Sequence, residues 1–237
     1  MTTGTPAGSL DAVESRQQRA GDAIRERSRQ RLVVGAAEVF AERGYTATTV
    51  NAIAQRSGVS LRTLYTAWGG KRQILRAYVE YTMTGSPTAV TDGTWVPQLQ
   101  SLLDPESRAD PHARMRRVAK MFRDIAERMG LPWRLLRDGA AADPSVAQDH
   151  AEFELLRRRS MAGLLDGIDE NQLRPGLTLN RAIDTMLVIA SPSAYETLVH
   201  PGGYDLDEFE RWLGDTLTAA LLANSDPQKF NVGDPAR

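Results

Sequence analysis

Residues 48–75, TTVNAIAQRSGVSLRTLYTAWGGKRQIL, decide the fold. Their pattern predicts two short helices joined by a tight turn, with another helix starting behind them. Thr48 or Thr49 offers a hydroxyl to an orphan backbone N–H at a helix start. Val50, Ile53 and Ala54 then fall on one face at helical spacing. Gly58 stops that helix, because glycine enters a left-handed turn at least cost. Ser60 is placed to cap the next helix, whose inner face carries Leu61, Leu64 and Trp68. Ala54 is small where the two helices cross, and Val59 and Leu64 turn inward. That order of small residue, turn glycine and inward apolar residues is what a helix-turn-helix requires. The second helix of such a unit enters the DNA major groove, and here its outward residues are Ser60, Arg62, Thr63 and Thr66.

The flanks extend the pattern. A first helix is expected from Ser28 to Arg43, burying Leu32, Ala36, Val39 and Phe40 with Val33 and Ala37 beside them. Gly44 ends it, and Tyr45 packs back as core. A fourth helix starts near Lys71, turns Ile74, Leu75, Tyr78 and Val79 inward, and runs out at Gly85-Ser86-Pro87.

Taken together, residues 31–75 resemble the DNA-binding domain of the tetracycline-repressor (TetR) family. The residues that carry the resemblance are LVVGAAEVFAERGY, the T-T-V helix start, I-A-x-x-S-G-V-S, T-L-Y and the later K-x-x-I-L. The resemblance covers about a fifth of the chain by domain-length reckoning. Two departures stand out. Ala67-Trp68 replaces the family's aromatic-or-His and Phe, and Gly69-Gly70 replaces a stiffer dipeptide before Lys71.

The bulk numbers fit a globular chain: 237 residues, 41% hydrophobic, 25% charged and no cysteine. Disulfides and thiolate metal sites are thereby excluded, which suits a reducing cytoplasm. No apolar run approaches the ~20 residues of a membrane span. The N-terminus lacks the apolar core of a secretory signal. The net charge of −1 divides unevenly. Asp11–Tyr81 carries 12 Lys+Arg against 7 Asp+Glu, and the remainder is acidic. A basic front on an acidic body suits a phosphate-binding module joined to a different domain.

The expected organisation is all-α. Residues 1–24 form a disordered tail, 25–70 the helix-turn-helix domain, 71–223 a helical regulatory and dimerisation domain linked through the fourth helix, and 224–237 a loose tail. Residues 85–96 read as a loop, followed by a short helix over 97–103. A long amphipathic helix follows, ended by Gly130-Leu131-Pro132, with a new helix from Pro132. Asp143-Pro144 opens the next helix. Segments 179–199 and 206–222 complete the set, with a break at Ser191-Pro192. Arg16–Arg31 is arginine-rich. Arg16 and Arg19 read as a solvated tail, whereas Arg27 and Arg29 suit a DNA-reaching arm or an exposed helix start equally.

For DNA, Thr49 and the N–H groups at its helix start can hold a phosphate. Tyr65 and Lys71 match the family's backbone-contacting positions. Arg62 is the candidate base reader, because its fork pairs with guanine O6 and N7. Ser60, Thr63 and Thr66 serve bases, phosphates or simply a cap. The resemblance implies a ligand-binding interior, here Trp95, Met115, Phe122, Trp133, Leu136, Phe153 and Met186. It also implies a two-fold dimer face, here Met186, Ile189, Phe209, Trp212, Leu213 and Leu217. His112, His150 and His200 stand apart without metal-ligand spacing, and no nucleophile–base or phosphate-loop signature appears. The expectation is therefore a cytoplasmic homodimeric regulator with no cofactor, metal or enzymatic activity. Its partners would be a double-stranded DNA operator, a second copy and a small hydrophobic effector, and it would act most naturally as a repressor. The alternative is a small-molecule binding protein whose DNA contact is vestigial.

Overall fold

Why the chain turns where it does is clearest from its caps and glycines. In the computed structural model, which describes residues 8–84 and 100–223, the helices are α1 (Gly8–Ala47), α2 (Val50–Arg56), α3 (Leu61–Trp68), α4 (Lys71–Thr84), α5 (Pro105–Ala109), α6 (Pro111–Ala142), α7 (Pro144–Leu165), α8 (Leu179–Ile189), α9 (Pro192–Val199) and α10 (Leu206–Leu221). A 3-10 turn spans Glu170–Gln172. The expected all-α class holds. The one β-type pairing among the described residues is an isolated antiparallel bridge, Leu173 to Leu222. No described helix is long and apolar enough to cross a membrane. The expected loop at 85–96, most of the helix at 97–103, Trp95 and the tail from 224 lie outside the described residues.

Two boundaries differ from the sequence-based expectation. The first helix begins at Gly8 rather than Ser28, so residues 8–24, expected as a loose tail, are helical. The physical reason is local: SLDAVESRQQRA is rich in good helix formers and contains no proline. The same helix breaks at Gly44, whose φ of 71° and ψ of 175° lie outside the range of other residues. The second difference is at Pro132, which sits inside α6 and does not begin a new helix. A mid-helix proline costs ~3 kcal/mol. Burial of Met129, Trp133, Leu135 and Leu136 on both sides of it outweighs that cost.

The described residues fall into two compact units, 8–84 with 134–149, and 100–133 with 150–223. In the first, α1 packs on α2, α3 and α4. Its core is Leu32, Val33, Ala36, Val39, Phe40, Ile53, Leu64, Ile74, Leu75 and Val79, with Tyr45 stacked on Phe40. Tyr78 is half-buried, and Ala77 takes the inward place beside Val79. The second unit packs α8 against α10. Its core includes Met115, Val118, Phe153, Met161, Leu164, Ile183, Met186, Phe209, Leu213 and Leu217. Arg123 joins Asp207 at 2.8 Å and Glu210 at 2.9 Å, and Arg158 pairs with Asp184. Both ends of α10 are closed. At its start Asp205 and Glu208 form a reciprocal capping box. At its end Arg174 N–H donates to Leu221 O, and Ala223 N–H donates to Gln172 O, each at 2.9 Å.

Candidate nucleic-acid interface

The two helices of the helix-turn-helix are set by short polar contacts that the sequence can be seen to supply. Thr49 is the cap of α2, with its Oγ1 accepting from Ala52 N–H at 3.2 Å. Thr48 is instead buried and donates to Gly44 O at 2.7 Å. The turn after α2 passes through Gly58 at φ 62°. Arg31 of α1 holds that turn from outside, its Nε and Nη2 donating to Ser57 O and Nη2 also to Gly58 O. Arg56 is tied to Glu38 and Glu42. Gly35 lets α1 come against Ser57, because a Cβ there would stand 2.3 Å from Ser57 Oγ and 3.1 Å from its backbone N.

On α3, Ser60 accepts from Thr63 N–H at 3.1 Å, and the two hydroxyls lie 2.8 Å apart. Ser60 is therefore a cap, and Thr63 shares in it. Arg62, Tyr65 and Thr66 are left on the outer face, Tyr65 with 52% of its surface exposed. Leu64 seals the inner face completely. Leu61, expected inward, is 39% exposed. It is the first residue of α3, and a side chain there leans back toward the helix start, past the turn and into solvent. Trp68 is half-buried and donates its indole N–H to Arg29 O at 3.4 Å, with the Arg29 guanidinium 5.2 Å from its ring. Gly69, at φ 75°, closes α3 in the left-handed conformation and donates to Tyr65 O. Glycine at this departure is thus a helix stop.

Lys71, expected to touch the DNA backbone, is engaged within the chain. Its Nζ donates to Tyr45 O at 2.8 Å and lies 4.2 Å from the Tyr45 ring centre. Burial draws its pKa down, against a smaller opposing pull from Asp143. Lys71 in this geometry ties α4 to the end of α1 beyond its break at Gly44. Lys71→Ala is expected to lower the unfolding midpoint while leaving the salt dependence of DNA binding unchanged. A flatter salt slope would return it to the phosphate backbone.

Tyr45 also donates to Asp143 Oδ2 at 3.2 Å. Burial first, and Asp143 second, raise the phenol's pKa. The Asp143 carboxyl is held below its usual range, chiefly by the Ser145 N–H, with the Tyr45 hydroxyl adding to it. Asp149 accepts from Arg72 at 2.7 and 2.8 Å and from Arg76 at 2.9 Å. Residues 134–149 therefore pack with the helix-turn-helix, although sequence alone assigns them to the regulatory domain.

Residues 32–78 match the family described as bacterial regulatory proteins, tetR family. That stretch is a TetR-family DNA-binding domain. A 177-residue stretch is 27% identical to YdeS of Bacillus subtilis, an uncharacterized HTH-type transcriptional regulator, covering 73% of this chain and 80% of that protein. Among solved structures, the SmeT–triclosan complex aligns with a TM-score of 0.65 at 19% identity, over 89% of this chain and 99% of that one. Its source is Stenotrophomonas maltophilia. NalD of Pseudomonas aeruginosa, described as the secondary repressor of the MexAB-OprM multidrug efflux pump, aligns with a TM-score of 0.62 at 18% identity, over 84% and 99%. At these identities the likeness to solved structures establishes the fold. With that domain, the chain is a DNA-binding transcriptional regulator.

The other two expected clusters are a ligand set divided between the two units and a dimer set largely buried within the chain. Of the TetR-type ligand residues, Met115, Trp133, Phe153 and Met186 are close-packed in the second unit and Phe122 is half-buried. Leu136, one turn beyond Trp133, packs in the first unit with the helix-turn-helix. Arg157 lies against the Trp133 ring, paired with Glu154 and donating to Leu187 O. Of the dimer residues, Met186, Phe209, Leu213 and Leu217 are buried within one chain. Their side chains are covered within the one chain, where α8 packs against α10. Ile189 and Trp212 keep partial exposure. Sequence reasoning passed over Arg31 and Gly35. A glycine inside the apolar run VVGAAEVF was the available signal, since such a glycine marks a close approach.

Proposed function

We propose that this chain is a ligand-responsive repressor that binds a palindromic operator as a homodimer and is released from it by a small hydrophobic molecule. The observation that carries the reading is the outer face of α3. Arg62, Tyr65 and Thr66 stand free on a short helix whose inner side is sealed by Leu64 and whose two ends are capped. Arg62 reads a guanine edge. Tyr65, Thr66 and the N–H groups at the α2 start hold phosphates. Two copies are needed because half-sites one helical turn apart require two heads. Exposed apolar side chains of the second unit that could meet a second copy include Leu102, Leu155, Leu179 and Val188, Val188 with 72% of its surface exposed. NalD as a pump repressor and SmeT with triclosan bound support the effector class.

The test is selection of duplexes by the full-length protein from random-sequence DNA. An inverted repeat should emerge, bound by two chains, and triclosan or a similar hydrophobic phenol should release it. Arg62→Ala is expected to cost about 1–3 kcal/mol of discrimination at one base pair in each half-site, with non-specific binding nearly unchanged. Recovery of no repeat, or of the same repeat with Arg62→Ala, would sink the reading.

A further inference from the structure

The helix that precedes the head continues alongside α3. Asp22, Arg25, Glu26 and Arg29 recur at three- and four-residue spacing, so they share a face of α1. That face and the α3 residues Arg62 and Thr66 line one groove of about 510 Å³. The two arginines that sequence left equal are separated here. Arg29 faces this groove, while Arg27 lines a different one with Arg31, Arg56 and Ser57. Trp68 fixes the arrangement. Its N–H donates to the Arg29 carbonyl and its ring underlies the Arg29 guanidinium. A phenylalanine, which the family carries at this place, has no donor for that bond.

The charges in the groove are unequal in availability. Arg25 is already paired with Asp22 at 2.6 Å. Arg29 and Arg62 have no carboxylate partner among the described residues. Two free guanidinium forks on facing walls, one of them on the helix that enters DNA, suit a strand of phosphates better than a neutral ligand. We infer that Arg29, held by Trp68 beside the recognition helix, is a second DNA-contacting element that grips the sugar–phosphate strand bordering the groove read by α3. This rests on the DNA-binding reading above. Trp68 is the positioning residue and Arg29 the contact.

The experiment uses the full-length protein and a duplex it has selected from random-sequence DNA. Binding is followed across salt concentrations, with hydroxyl-radical footprinting of the same complex. Arg29→Gln should flatten the slope of log K against log salt by about 0.9 per chain and lose protection of the flanking sugars, with base preference kept. Trp68→Phe should keep the fold and base preference yet flatten the slope in the same direction. Arg27→Gln should leave slope and footprint as they were. An unchanged slope and footprint in Arg29→Gln overturns the inference alone. So does an equal loss in Arg27→Gln, which would reduce the effect to general charge. So does a Trp68→Phe protein that is merely less stable, with its slope intact. A parent protein that selects no duplex sinks the DNA-binding reading and this inference with it.

Discussion

Gly35→Ala is expected to lower the unfolding midpoint of the protein, although alanine is the better helix former. The substitution gains up to about 1 kcal/mol of helix propensity. Against this, the new methyl would meet Ser57 Oγ at 2.3 Å, its N at 3.1 Å and its Cα at 3.2 Å. The hydroxyl can rotate away, but the two backbone atoms belong to a turn pinned by Arg31 and cannot. Overpacking of this kind costs about 1–3 kcal/mol, so the net change is destabilising. Ser57 Oγ is itself buried without a hydrogen-bond partner, so Ser57→Ala alone should be neutral or slightly stabilising. Ser57→Ala should also recover part of the loss when combined with Gly35→Ala, because it removes the nearest obstacle. Thermal unfolding of the two single variants and the double variant checks this. A Gly35→Ala midpoint at or above the parent's would show that α1 can retreat from the turn.

The other large effect is expected at Asp149. Its carboxylate, only 2% exposed, takes both Arg72 and Arg76. Asp149→Ala would leave two neighbouring guanidiniums without their shared acceptor. Breaking a fully buried pair costs about 3–5 kcal/mol. Here each arginine keeps roughly a third of its side chain in water, so about 2–3 kcal/mol is expected. Asp149→Asn keeps an acceptor and should fall between. Denaturant midpoints of both variants measure it, and an Asp149→Ala protein as stable as the parent would mean that water replaces the carboxylate. Since Arg72 and Arg76 are on α4, next to Lys71, the same variant should loosen the start of that helix.

What could be seen in the sequence follows a physical division. The helix-turn-helix depends on local chemistry: a cap at Thr49, a cap at Ser60, a left-handed glycine at 58, and Leu64 at helical spacing from its neighbours. Each acts within four or five residues, so each leaves its mark in a short stretch. Asp149 gives no such sign, because its partners lie 77 and 73 residues away. Pro132 misleads for a related reason. The local rule stops a helix there, and the burial that overrules it comes from distant parts of the chain. Met186, Phe209, Leu213 and Leu217 were correctly apolar, but hydrophobicity says that a side chain is covered, not by what. Trp68 lies between these cases. Its departure from the family pattern was plain, whereas the N–H bond to Arg29 needs the fold to be seen.

The closing of α10 at both ends bears on how this protein comes apart. Helices ordinarily loosen from their tips, and a tip that frays gives proteases and exchange with heavy water an early entry. Here the first turn is locked by Asp205 and Glu208, and the last is bonded across to the segment before α8. The final helix therefore has no free end to peel from, and its amides should trade hydrogen for deuterium together, in step with Met186 and its neighbours, not from Leu221 inward.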